Sequence, residues 1–110
     1  MASSTIKKGK VNIVVLNNFT TLSSVYDELN QRYDVVGRGG IGNSNTGTLK
    51  SIIPAPTDFG GYVEASIKYF GNRVLTVTAR DAINLKLATC FIASDDDNSW
   101  YKTDWVILKS

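Results

Sequence analysis

The chain has no histidine, one cysteine, two prolines and one methionine in 110 residues. Without histidine it lacks the commonest general base, the usual partner of a nucleophilic serine or cysteine, and the commonest zinc ligand. Cys90 has no second cysteine to pair with inside the chain and no imidazole to activate it. Set in Leu87-Ala88-Thr89-Cys90-Phe91-Ile92, it reads as a buried, inert thiol. The chain is therefore expected not to be an enzyme. The catalytic alternative is a hydrolase built on a carboxylate pair drawn from Glu28, Asp34, Glu64 or the acidic residues 95–97, and no spacing singles out such a pair.

Two kinds of apolar segment are also missing: one long enough to span a bilayer as a helix, and one that would serve as a secretory signal at the start. The expectation is cytoplasmic synthesis with no transmembrane segment, any release following a non-classical route. A formal charge of +2 with scattered basic residues offers no dense patch for phosphates, so no nucleic-acid partner is expected. Apolar residues make up 43% and charged residues 20%, a folding composition, and the length suits one core. Residues 1–9 are small, polar and basic and read as a flexible N-terminus; residues 10–110 read as a single domain.

Within that domain the β signal dominates. Val11-Asn12-Ile13-Val14-Val15-Leu16 is a strand covered on both faces at least in part, and further strands are expected at residues 48–53, 62–70, 73–80, 84–93 and 101–108. Pro54-Ala55-Pro56 marks a corner, and Phe70-Gly71-Asn72-Arg73 a tight hairpin in which Gly71 and Asn72 take left-handed conformations. Strands at about ten-residue spacing predict a mainly β, antiparallel, jelly-roll-like sandwich. Residues 20–33 stay open: Leu22, Val25, Tyr26, Leu29 and Tyr33 have helical spacing with a capping Thr20 or Thr21, whereas the Thr, Ser, Val and Tyr content favours strands. One short helix near residues 21–31 is the alternative carried forward.

Residues 37–47, rich in glycine and asparagine, read as a long flexible loop. Gly37, Gly39 and Gly42 spell G-x-G-x-x-G, but Asn43-Ser44-Asn45-Thr46-Gly47 starts no helix to receive a pyrophosphate, so the dinucleotide motif is set aside. The most chemically loaded stretch is Ser94-Asp95-Asp96-Asp97-Asn98-Ser99-Trp100-Tyr101. Asp95, Asp96 and Asp97 make calcium a candidate ligand, although Trp100 and Val106 stand where an EF-hand needs glycine and glutamate. Flat rings beside amides suit sugars and lipid head groups. Trp100, Tyr101, Asn98, Asn43, Asn45, Phe59 and Tyr62 are the candidate ligand contacts. Strand alternation would put Tyr101, Trp105 and Ile107 on one face, with Trp105 read as core.

Asn17-Asn18-Phe19-Thr20-Thr21-Leu22-Ser23-Ser24, the glycine-rich stretch, Ile52-Ile53-Pro54-Ala55 followed by Phe59-Gly60-Gly61, and the Asn/Ser/aromatic loop at 97–101 together resemble the layout of aegerolysins and related actinoporin-like β-sandwich proteins, lectin-like relatives included. The resemblance implies a sandwich that recognises membrane lipids or glycans, and it favours strand over helix at residues 20–28. The leading expectation is a non-enzymatic recognition protein binding a glycan or lipid surface. Its alternative is a structural or assembly protein that forms homo-oligomers through β-edges.

Overall fold

The computed structural model describes residues 12–95 and 99–110. Asp96, Asp97, Asn98 and the N-terminal residues 1–9 lie outside them. Among the described residues the chain is mainly β, with strands β1 (Asn12–Val15), β2 (Val35–Gly40), β3 (Glu64–Gly71), β4 (Val74–Asp81), β5 (Lys86–Ser94), β6 (Trp100–Lys102) and β7 (Val106–Lys109), and helices α1 (Leu22–Leu29) and α2 (Leu49–Ile52). All seven strands form one open sheet in the order β1-β2-β3-β4-β5-β6, with β7 also pairing with β5. β1 and β2 are parallel and every other pair is antiparallel.

The parallel pair explains the layering. Parallel neighbours need a crossover long enough to return the chain, and α1 supplies it and then packs against β2, β3 and β6. In place of a sandwich's second sheet stand α1, α2 and the loops between residues 41 and 63. Leu16, Val25, Leu29, Leu49, Ile53 and Phe59 press from that layer onto Val35, Ala65, Ile67, Leu75, Val77, Ala79, Cys90 and Ile92 of the sheet, and all of these are buried.

Periodicity prevails at residues 22–29. Thr21 caps α1 through its Oγ1, which accepts from the Ser24 amide at 3.1 Å, and Val25, Tyr26 and Leu29 turn inward. The helix ends where Gln31 takes φ 60°, which leaves Tyr33 outside it, exposed and edge-to-face with Tyr69 at 5.2 Å. At residues 49–52 the strand expectation is overturned: Leu49–Ile52 is a helical turn. Leu49 and Ile53, one helical turn apart, are both buried, and the Ile53 amide donates to the Leu49 carbonyl at 2.9 Å, an i to i−4 bond that an extended strand cannot make.

The glycine-rich stretch is corrected too. Gly37, Gly39 and Gly40 belong to β2, and the first two are glycines because apolar side chains descend onto the strand. A Cβ at Gly37 would lie 2.5 Å from Leu16 Cδ1, and one at Gly39 2.5 Å from Leu49 Cδ2. The hairpin at residues 71–74 is as expected, with Gly71 at φ 118° and Asn72 at 55°. Arg73 at 62° completes the two-residue loop between the paired Gly71 and Val74. The strand expected at residues 101–108 is split, since β6 ends at Lys102 and β7 begins at Val106, while the Phe91 amide donates to Thr103 Oγ1. The break resets the alternation. Tyr101 is exposed, whereas Trp105 packs against the core and donates its indole N–H to the Pro54 carbonyl at 2.9 Å.

Candidate functional site

The candidate contacts do not converge on one place. Phe59 is 8% exposed and belongs to the core, which removes it from any ligand surface. Trp100 is half-buried, stacked on Tyr26 at 4.2 Å with the Arg73 guanidinium 5.7 Å from its ring, and its remaining edge borders a shallow hollow with Thr21, Leu22 and Ser23. Tyr101 lies on the other face of the sheet, paired with Ala93. Asn43 borders a separate hollow with Lys50 and Pro54. Asp95, the one member of the acidic trio within the described residues, is exposed and accepts from the Ser99 amide at 3.0 Å.

Asn45 and Tyr62 do come together. They share a cleft of about 320 Å³ at the carboxyl ends of β1 and β2, with Asn17, Arg38, Gly40 and Glu64. In open sheets with parallel strands, ligands favour this position. Tyr62 is 70% exposed, its ring unpacked at the rim.

Asn17 organises the cleft, although residue type alone does not mark it as a contact. Its side-chain oxygen accepts from the Gly40 amide at 3.0 Å, and its carbonyl accepts from the Thr48 and Leu49 amides at 2.8 and 3.2 Å. One residue thereby ties the end of β1 to β2 and to α2. The only signal for it was an asparagine directly after a strand, where such residues often bond to nearby backbone.

Glu64 and two arginines form the charged wall. Register places Glu64 opposite Gly40 on one side and Arg80 on the other, with Arg38 two residues along β2. Glu64 Oε1 accepts from both Arg38 and Arg80, the latter at 2.8 Å. Burial by itself would raise the Glu64 pKa. The hydrogen bonds from Arg38 and Arg80, and then their charges, outweigh it and bring the carboxyl below its ordinary value. Glu64 therefore stays ionised at neutral pH, suited to holding ligand donors and poorly suited to giving up a proton. Arg38 Nε is shielded from solvent and has no hydrogen-bond partner among the described residues.

Cys90 and Asp81 serve the fold. Burial pushes the Cys90 thiol up to about 11, which leaves almost no thiolate at neutral pH. Asp81 is buried and accepts from the Asn84 side chain at 2.9 Å, the Gly60 amide at 2.7 Å and the Asn84 amide at 3.1 Å, pinning the 54–61 loop to the β4–β5 turn. The Asn84 side-chain bond, followed by the Gly60 amide, lowers its pKa. A depressed carboxylate contributes stability that is complete above the unfolded value, about 4, and is lost as pH falls through the folded value. Thermal melts from pH 6 to pH 2 are thus expected to show stability falling below about pH 4, and falling less steeply in Asp81→Asn, which carries no titrating group there. Equal slopes for both proteins would contradict this role for Asp81.

No family model, curated protein or solved structure matches this chain.

Proposed function

We propose that this chain is a non-enzymatic recognition protein that binds a glycan in the cleft of Asn17, Arg38, Asn45, Tyr62 and Glu64. The observation that supports the reading is their co-location: an exposed ring beside two amides, a carboxylate and a guanidinium, in a cleft of about 320 Å³. A sugar presents a C–H face that stacks on a ring and hydroxyls that both donate and accept. Ionised Glu64 accepts, Arg38 donates, and the amides do both. Of the contacts expected from the sequence, Asn45 and Tyr62 belong to this cleft, and Asn17, Arg38 and Glu64 join them. Calcium held by residues 95–97 is kept as a variable of the test.

Glycan-array screening with and without calcium, followed by titration of the best ligand, provides that test. Tyr62→Ala is expected to weaken binding roughly tenfold or more, equivalent to about 1.4 kcal/mol, with little change in Tm, because the ring is largely exposed. Absence of any array signal would sink the reading, and unchanged affinity in Tyr62→Ala would move the site elsewhere.

A second reading, assembly through a β-edge, is favoured by β7. Val106, Ile107 and Leu108 are all exposed, and β7 pairs only with β5 among the described residues. An apolar edge with a single lysine, Lys109, is poorly protected against pairing with another chain. Light scattering is expected to show a dimer that Ile107→Lys converts to monomer; a monomer at all concentrations would remove this reading.

A further inference from the structure

The sheet face turned away from α1 and α2 is the least explained surface of the molecule. No described element lies over it. Strand alternation sends Ile13 and Val15 of β1, Val36 and Arg38 of β2, Ser66 of β3 and Arg80 of β4 to that side, and Val15 is 64% exposed. Purely antiparallel sheets often leave one polar face in water, but parallel strands are normally covered on both faces. Here the described residues cover the parallel pair β1–β2 on one. Ile13, Val36, Arg38, Ser66 and Arg80 border a groove of about 250 Å³ across β1 to β4.

Charge indicates what fits. Within the groove region Arg38 and Arg80 share the single carboxylate of Glu64, an excess of one positive charge over this cluster. A second copy stacked face to face about a two-fold axis would set this cationic cluster against itself, which is unfavourable. A helix carrying carboxylates meets both demands, since helices are the usual cover of a parallel pair and a carboxylate satisfies paired guanidinium donors. We infer that the open face over β1–β4 docks an amphipathic, acidic helix of a partner protein, its apolar residues on Ile13, Val15 and Val36 and its carboxylates on Arg38 and Arg80.

The test uses two synthetic amphipathic helices on the order of 20 residues, or about 30 Å, with leucines along one face. One is flanked by glutamates and the other by lysines, and binding is read by fluorescence anisotropy. The glutamate helix is expected to bind at least roughly tenfold tighter than the lysine helix, with affinity falling as salt is raised. Arg80→Glu should remove that preference or reverse it, and Val36→Glu should abolish binding of both helices. Val36 does not border the glycan cleft, so Val36→Glu should keep glycan binding, while Tyr62→Ala should keep helix binding; Arg80, which bonds to Glu64 of the cleft wall, is left out of that comparison, and failure of one proposal is thus distinguishable from failure of the other. Should circular dichroism show either variant unfolded, Thr78→Glu, on the same face, takes its place. No binding of the glutamate helix, equal binding of the two helices, or a preference untouched by Arg80→Glu overturns the inference. A dimer whose interface protects Val36 overturns it in favour of a second copy.

Discussion

Replacing Gly42 with alanine is expected to lower Tm by roughly 10–20 °C, corresponding to about 3 kcal/mol or slightly less at the upper end of overpacking costs. Gly42 is buried where the chain leaves β2 and runs beside residues 61–63. The Ile41 amide donates to the Val63 carbonyl at 2.9 Å, and the Ser44 amide and hydroxyl both donate to the Gly61 carbonyl, at 3.2 and 2.5 Å. A Cβ on Gly42 would sit 2.0 Å from that same carbonyl oxygen, 2.6 Å from its carbon and 2.8 Å from the Val63 nitrogen. All three are backbone atoms, so no rotamer change relieves the clash, and relief requires giving up the hydrogen bonds that close the loop. Gly61 supplies the control. Its Cβ would meet nothing nearer than Ser44 atoms at 3.8 and 3.9 Å, and its φ is not in the left-handed region. Gly61→Ala is therefore expected to be neutral or to stabilise by about 0.4–1 kcal/mol through the unfolded chain. Differential scanning calorimetry on the two variants decides; equal effects would mean that the close approach at Gly42 does not exist in solution. Since the loop it closes leads into Tyr62, Gly42→Ala should weaken the cleft as well as the fold.

The second large effect concerns Leu16 and Gly37. Leu16→Ala removes a fully buried side chain and is expected to cost about 2–5 kcal/mol. Gly37→Ala places a methyl 2.5 Å from Leu16 Cδ1 and 3.1 Å from Leu29 Cδ1 and is expected to cost about 1–3 kcal/mol. Here the obstruction is the end of a side chain, so the two costs should not add. With Leu16 truncated, the new methyl enters the vacated space, and the double variant should be more stable than the sum of the single costs by about 1 kcal/mol or more. Urea melts of the four proteins give this directly, the linear extrapolation yielding each stability. Strict additivity would show that Leu16 does not rest on Gly37.

Gly37 and Gly39 show how much can be read in advance. A strand reading of residues 37–40 was hidden by composition, because glycine carries a strong prior for loops and says nothing about what packs above it. Leu16, Leu29 and Leu49 supply the reason for those glycines, and they come from three other parts of the chain. The α2 turn was missed for a related cause: Leu49-Lys50-Ser51-Ile52 is too short to display a period, and the burial of Leu49 and Ile53 is settled by β2 beneath them. In the candidate site, exposed Tyr62 and Asn45 are legible from residue type alone, whereas Asn17 and Arg38 emerge, and Glu64 is set apart from the other carboxylates, only when β1, β2 and β3 lie side by side in register. Phe59 failed as a contact because an aromatic residue next to glycines looks the same in sequence whether it points inward or outward.

Local chemistry in the amino-acid sequence was enough for the β-rich class, the Gly71-Asn72 turn, the option of a short helix after Thr21 and an inert Cys90, because each rests on interactions within a few residues. The pairing of β1 beside β2, the side of the sheet that α1 covers and the meeting of Arg38, Glu64 and Arg80 came from contacts between distant segments. Those contacts decide which face of the sheet the described elements cover and which they leave open.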